Sequence, residues 1–596
     1  MKIFFFLLFF TFSCGHKSTK YCETEECVNL AKTMRSLMNE SVDPCDDFYE
    51  YTCGNYSGLY DSEILGQFYE NIRELGKYME TIEEPKGSDE KVALTIYRKC
   101  VNLDKNESLD TFMKDFWGDT DDWTKLIIEI TKMNREKGGF FKNDILERKV
   151  SGEKGYQIIM SLKETPRSAY KFGFLPLKDV VERVKFLNLT EYFDQLLPES
   201  DRRYGALDDA ILIEDSFLTI DAKINKLGKA KTKELLYTEW RNVLKEYAED
   251  RSDFECAQKN VLNLFPETST KFLLGNILKE ENIKKVGSLF KMLQNEANEV
   301  IKESGWIDKK TKRAMLFELN SMATSIGIPD EFRNQTKVDK VYNRVVNHDI
   351  KKQSYLELVR NVLILNSQQE FLKYSKKTES TFTGNPFNIN TNYNHLSHRT
   401  SITSFYIRYP FIHQNLPEWS TLASLAHIVG HEIGHLFDTS NFWLNQDSLR
   451  PRDIDGETRE EYINRTTCLV EKYGEFKFPG FDVKLDGRRT VAENFADQFG
   501  FQLTYRLFKK LSPNSLRKLP GFGDNSTLDQ QFFLRLATTW CGKEMDLKMI
   551  QDANEDTHSP AMFRINGIAS NSREFAASFG CAKSTAMNPE KKCALF

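Results

Sequence analysis

Apolar residues recur three and four positions apart through most of this chain, the period of helices that bury one face. Between about residue 70 and residue 360 the pattern predicts one helix after another. Val286 to Ile301 carries it most clearly, with Val286, Leu289, Phe290, Leu293, Ala297, Val300 and Ile301 on one face. Thr311 to Ile326 has the same period, and Pro198 and Pro266 mark expected breaks. Residues 22–69 differ in texture, being rich in Cys, Gly and Tyr. From about 361 onward, short extended runs such as Ser401 to Tyr409 precede strong helices. One is expected over Thr421–Asp438 and another opens at Val491 and runs to about Lys509. Three stretches follow, 22–69, 70–360 and 361–596, with no repeat or low-complexity segment. A chain of 596 residues exceeds what one core organises, so two or more lobes are expected.

Composition narrows the class. Apolar residues at 40% and charged residues at 28% describe a globular protein, not a disordered or membrane-embedded one. A formal charge of −5 gives no electrostatic reason to expect nucleic acid or an anionic membrane as partner. The densest basic run, Lys309 to Arg313, reads as a solvated helix face. Lys2, the apolar run Ile3 to Phe12 and the exit Ser13-Cys14-Gly15 form the pattern of a cleaved secretory leader, residues 1–15. A retained anchor is the competing reading, but the run is shorter than the ~20 residues of a membrane span. Beyond it no stretch is apolar enough to cross a bilayer, so a soluble protein outside the cytosol is expected.

Two features fit that compartment. Past Cys14 there are ten cysteines, an even number compatible with full pairing, and no Cys-x-x-Cys ligand pair. Counting leaves their connectivity open. Seven Asn-x-Ser/Thr triplets, at Asn39, Asn55, Asn106, Asn188, Asn334, Asn464 and Asn525, together favour a glycosylated surface.

The sharpest chemical signal is His431-Glu432-Ile433-Gly434-His435. Histidines four apart on a helix project from one face and reach one metal ion, while Glu432, about 100° around, is placed to take a proton from a metal-bound water. The competing reading is a chance match on an amphipathic helix. Val491-Ala492-Glu493-Asn494-Phe495-Ala496-Asp497 supplies the missing ligand. Glu493 and Asp497 also share a helix face, one carboxylate completing a His₂Glu zinc site and the other accepting the free N–H of a ligand histidine. Taken alone, the pair would read as an acidic helix face. A third histidine six residues past His435 would mark the other large class of zinc peptidases, but position 441 is Asn and position 438 is Asp, not Gly. Asp556-Thr557-His558, with Arg564 behind it, offers a cationic imidazole for an oxyanion and a guanidinium fork for a carbonyl.

With these motifs the chain resembles the neprilysin family of zinc endopeptidases over essentially all of residues 22–596. The resemblance rests also on Ser41-Val42-Asp43-Pro44-Cys45-Asp46-Asp47-Phe48-Tyr49, Cys53-Gly54, His558-Ser559-Pro560, Phe563-Arg564 and Asn588-Pro589-Glu590-Lys591-Lys592-Cys593. It implies one zinc ion on His431, His435 and Glu493, with Glu432 as base and Asp497 orienting a ligand histidine. His558 stabilises the transition state, Arg564 binds substrate backbone, and Asn390 holds the peptide main chain like an added strand. It further implies Cys22–Cys27, Cys45–Cys581, Cys53–Cys541, Cys100–Cys256 and Cys468–Cys593. The implied fold is mainly α with a small β component, a two-lobed shell around a cavity. A thermolysin-like catalytic lobe (361–596) carries the zinc, a helical lobe (70–360) restricts entry to oligopeptides, and residues 22–69 pack on the catalytic lobe. A secreted monomeric endopeptidase cutting on the amino side of apolar residues is the expectation.

The chain departs from the family's usual pattern at Ile402 to Ile407. Phe411, Ile428 and Trp540 keep an apolar lining for the residue after the cut bond, while Tyr406 and His427 are bulkier or more polar. His427, one turn before His431, is read as pocket lining or a buried hydrogen-bonder. Gly434 and Leu436 replace the usual Thr and Gly. No Lys or Arg lies between Gly54 and Asn71 to grip a C-terminal carboxylate, as some relatives do. The altered strand also motivates a second reading, a secreted protein that sequesters peptides without cutting them.

Overall fold

The computed structural model of the chain describes residues 20–102, 108–117, 122–134, 140–150, 153–162, 174–196, 211–248, 252–273, 278–329, 332, 350–376, 386–395, 397–445, 451–543 and 545–596. The expected leader, Pro198, Asn106 and Asn334 lie outside them. Of the other acceptor asparagines, Asn55, Asn188, Asn464 and Asn525 are exposed and Asn39 is half-buried.

The N-terminal segment folds onto the far end of the chain. Helix Glu25–Leu37 starts behind Thr24, whose hydroxyl accepts from the Cys27 amide, and buries Leu30 and Met34 against helix Leu528–Thr538. Helix Phe48–Cys53, capped by Asp47, packs on Leu528–Thr538 and on Ala561–Asn571. Disulfides Cys45–Cys581 and Cys53–Cys541 fasten it there across sequence separations of 536 and 488. Cys22–Cys27, Cys100–Cys256 and Cys468–Cys593 complete five bridges.

Helices alone do not account for residues 70–360. Strands β1 (Phe141–Val150), β2 (Glu153–Leu162), β3 (Phe174–Pro176) and β4 (Ile211–Glu214) form a sheet in the order β1-β2-β4-β3. β1 and β2 pair antiparallel from Phe141↔Leu162 to Val150↔Glu153, and β4 runs parallel to β2. Their apolar clusters, such as Ile158-Ile159 and Ile211–Ile213, are too short for periodicity to separate strand from buried helix. Ile158, Ile211 and Ile213 are buried.

Helix α1 (Glu280–Glu303) buries Val286, Leu289, Phe290, Leu293, Ala297, Val300 and Ile301, the face its period predicts. Helix α2 (Lys309–Ser321) begins at the Asp308 cap but stops five residues short of the expected Ile326. Ala323–Gly327 is instead a strand, β5, because Thr324, Ser325 and Ile326 find pairing partners in the next sheet. That sheet has the order β5-β7-β6, with β6 (Asn392–Asn394) at its edge and β7 (Arg399–Thr403) central. The extended run expected over Ser401 to Tyr409 therefore ends at Thr403 and tightens into a 3₁₀ turn at Ser404–Tyr406, where the Ser404 amide and hydroxyl both bond to the Pro386 carbonyl.

The helix expected over Thr421–Asp438 is a composite. Glu418–Thr421 leads through a π-helical stretch, Leu422–Ala426, into α3 (His427–Gly434). α4 (Val491–Lys510) packs along α3, and α1 packs on both. By contrast helix Tyr355–Lys376, through which the expected boundary at 360/361 runs, packs on Trp123–Met133 and Ser88–Val101. The packing groups therefore exchange chain, with residues 280–327 beside α3 and α4. No helix among the described residues is long and apolar enough to cross a membrane.

Candidate active site

Three glycines determine how close α3 and α4 come. A Cβ at Gly500 would stand 2.7 Å from the His431 amide nitrogen and 2.9 Å from the His427 carbonyl oxygen. A Cβ at Gly430 would meet the Gly500 Cα at 3.0 Å, and one at Gly434 the Ala496 Cα at 2.9 Å. Backbone thus lies on backbone at this crossing, and Glu493 in the first turn of α4 comes level with both histidines.

His431 Nδ1 lies 2.8 Å from Asp497 Oδ1, and His435 Nδ1 lies 2.7 Å from Asp438 Oδ2. Ionised carboxylates only accept, so both Nδ1 atoms carry a proton, and in the neutral imidazoles that a metal requires both Nε2 atoms present a lone pair. Those lone pairs converge. The Nε2 atoms are 3.0 Å apart, and Glu493 Oε2 lies 3.2 Å from His431 Nε2 and 3.4 Å from His435 Nε2. Glu493 Oε2 is buried without a hydrogen-bond partner. In that neutral state three electron-pair donors crowd around one point and repel one another unless a cation lies between them. This donor set fits zinc and leaves a further position open.

The surroundings hold the donors in place. Asp497 is fully buried, which alone would raise its pKa. The Arg564 guanidinium and His431 outweigh that burial and hold the carboxyl below its ordinary value. Arg564 Nε and Nη2 donate to the two Asp497 oxygens at 2.7 and 2.6 Å, and its guanidinium stacks 4.1 Å above the Trp540 ring. The fork expected to meet substrate backbone is therefore largely committed to Asp497, with only Nη1 outside that pair. Burial raises the pKa of Glu432, which also accepts a hydrogen bond from the Tyr393 backbone in β6. His558 bonds through Nδ1 to Asp556 Oδ1 at 2.8 Å, and its Nε2 lies 3.4 Å from Glu493 Oε2. Ser559 pins that loop to α4 through Asn494, at 2.7 Å.

A cavity of about 980 Å³ opens over the donors. Asn390, Ile428, Trp540, His558 and Arg564 line it with Glu432 and the three donors. Phe411 does not. It lies behind Tyr406, ring centroids 5.0 Å apart, and Tyr406 takes the wall position instead. His427 is also off the wall, buried with Nε2 3.3 Å from the Asp497 carbonyl, and burial lowers its pKa to about 4.

The pattern of peptidase family M13 matches residues 390–595. Neprilysin-11 of Caenorhabditis elegans is 23% identical in an alignment covering 97% of this chain and 81% of that protein. Over nearly its whole length the chain is similar to members of the neprilysin family. It is accordingly a zinc metalloendopeptidase. Among solved structures, zinc metalloprotease ZMP1 of Mycobacterium tuberculosis in complex with inhibitor superposes with a TM-score of 0.67 at 16% identity, covering 94% of this chain and 98% of that one. A Haemonchus galactose-containing glycoprotein complex gives a TM-score of 0.73 at 16% identity, covering 96% and 99%. The likeness shows a mainly helical, two-lobed fold.

Within this neprilysin-type site, sequence reasoning missed Asp438, noted only as a residue that excludes another class. Its position three residues after His435 was the available signal, because i and i+3 meet on a helical turn. It also missed Tyr393, Arg488 and Arg489, which reach the cavity from segments with no chemical motif.

Proposed function

We propose that His431, His435 and Glu493 hold one zinc ion and that the enzyme hydrolyses oligopeptides on the amino side of apolar residues. The observation that carries this reading is the trio of ligand-type atoms, two imidazole nitrogens and a carboxylate oxygen, within 3.4 Å of one another. Zinc bound there supplies a Lewis acid that polarises the peptide carbonyl and makes a water acidic near neutral pH. Glu432, one residue past a ligand and lining the cavity, takes the proton from the attacking water and delivers it to the departing amine. His558, oriented by the bond from its Nδ1–H to Asp556, can as an imidazolium donate Nε2–H to the oxyanion that forms. Asp497 and Asp438 fix the ligand histidines, and Arg564 holds Asp497 while offering Nη1 to substrate.

β6 lies at the sheet edge beside Glu432, so a peptide can add to it as a strand, with Asn390 gripping main chain. Ile428 and Trp540, with Tyr406, form the wall that receives the apolar residue. Residues 70–360 are proposed to restrict access, residues 361–596 to carry the chemistry, and 22–69 to brace it. Five disulfides, the leader-like start and exposed acceptor asparagines support a secreted glycoprotein acting as a monomer.

Glu432→Gln tests the reading. The variant should retain stoichiometric zinc by elemental analysis yet cut no member of a short-peptide library read by mass spectrometry. Native protein should cut internally and lose that activity to a chelator. Turnover persisting in Glu432→Gln contradicts the assignment of the base.

A further inference from the structure

The whole chain is acidic, yet each carboxylate of the cavity wall has a hydrogen-bond partner or faces a histidine. Among the described residues lining it, the carboxylates are Glu432, Asp438, Glu493 and Asp556. Asp438 is taken by His435 and the amides of Ser440 and Asn441, and Asp556 by His558. Glu493 faces the two histidines, and Glu432 accepts from Tyr393. Of the three wall arginines, Arg564 is neutralised by Asp497, but Arg488 and Arg489 are not. Arg489 Nη1 donates to the uncharged Glu555 carbonyl at 3.0 Å, and the Arg488 side chain has no hydrogen bond or ion pair among the described residues. Their amides bond to Asp486 Oδ1 at 2.9 and 3.2 Å, which orders the backbone from which both side chains extend. Arg489 precedes Glu493 by four residues, so its Cα lies within roughly 15 Å of the metal ligand's.

Two unneutralised guanidinium groups in a concave wall concentrate positive potential where a peptide must lie. Guanidinium also matches the planar fork of a carboxylate. We propose that Arg488 and Arg489 form a carboxylate-recognition patch, so that the enzyme prefers peptides with an acidic side chain or a free C-terminus near the cut bond. This rests on the peptide-cleavage reading above. It supplies from the α4 side the anchor that residues 54–71 lack.

The test uses zinc-loaded full-length protein and peptides that differ only by Glu, Gln or Lys at successive positions, each with a free or amidated C-terminus. Cleavage is read as kcat/KM, and binding as Kd to the Glu432→Gln protein by fluorescence anisotropy. The carboxylate peptide should lead its Lys counterpart on the order of tenfold at low salt. The lead should shrink in about 1 M salt, where the Debye length is about 3 Å. Arg488→Glu and Arg489→Glu should abolish or reverse the ratio. The position of the effect, or its loss on amidation, tells a side-chain carboxylate from a terminal one. Cleavage with no charge preference, or a ratio unmoved by both reversals, overturns the patch and leaves the peptidase reading intact. Charge-selective binding to zinc-loaded protein that cuts nothing supports the patch and overturns the peptidase reading.

Discussion

Replacing Gly500 with alanine places a methyl group against three backbone atoms that cannot turn aside. They are the His431 nitrogen at 2.7 Å, the His427 oxygen at 2.9 Å and the Gly430 carbonyl carbon at 3.1 Å. Ordinary contact begins near 3.4 Å, so α4 must withdraw from α3 by roughly 0.7 Å. Overpacking of this kind costs ~1–3 kcal/mol. The larger effect falls on the metal. Ligand distances tolerate only about 0.2 Å, and Glu493 rides on the helix that moves. Zinc affinity should therefore drop by about 10- to 100-fold, the size seen when ligand support is lost. Competition against a chromogenic chelator measures it, with intact far-UV circular dichroism as the check on folding. Gly474→Ala is the control, since a Cβ there meets nothing within 4 Å. Native zinc affinity in folded Gly500→Ala would refute the argument that the glycine contact sets the position of Glu493.

Three further outcomes are expected. Asp438→Asn keeps one oxygen, claimed by the Ser440 and Asn441 amides, and so turns an NH2 donor toward His435 Nδ1; it should weaken zinc binding ~10- to 100-fold in the same competition assay while the fold is kept. His427 has its pKa pushed down to about 4 by burial, so the unfolded chain binds a proton that the native state refuses. Stability should fall as pH drops from 6.5 toward 4, and His427→Met should remove about 3 kcal/mol of that loss, as read by urea unfolding with chelator present throughout. Joint replacement of Cys53 and Cys541 by alanine should cost ~2–4 kcal/mol and make the segment before Glu63 the first cut in limited proteolysis. Unchanged proteolysis would mean that packing against Leu528–Thr538 suffices without the bridge.

The proposed catalytic residues were legible because their pattern is local. Two histidines four apart, the glutamate between them and the carboxylates of 493 and 497 are specified by helical geometry, which short sequence carries in full. The amphipathic face of α1 was legible for the same reason. Other features depend on partners remote in the chain. β5 looked like the end of a helix because its pairing with β7 lies some seventy residues on in sequence, and only that pairing makes an extended backbone the better solution. The β1–β4 sheet was hidden behind apolar runs too short to have a period. Phe411 matched a pocket position, yet Tyr406 occupies the wall in front of it, an outcome of side-chain packing in three dimensions.

By itself the sequence determined the candidate donor set, the proposed base and the even cysteine count, all of which follow from residue type and spacing. Tertiary structure alone decided the rest. Gly500 proved to be a spacer, Asp438 a histidine's partner, Arg564 chiefly the counter-ion of Asp497, and Arg488 and Arg489 the unneutralised charge of the cavity. Burial, close approach and ion pairing are relations between distant segments, and their energies exist only once the folded chain has brought those segments into contact.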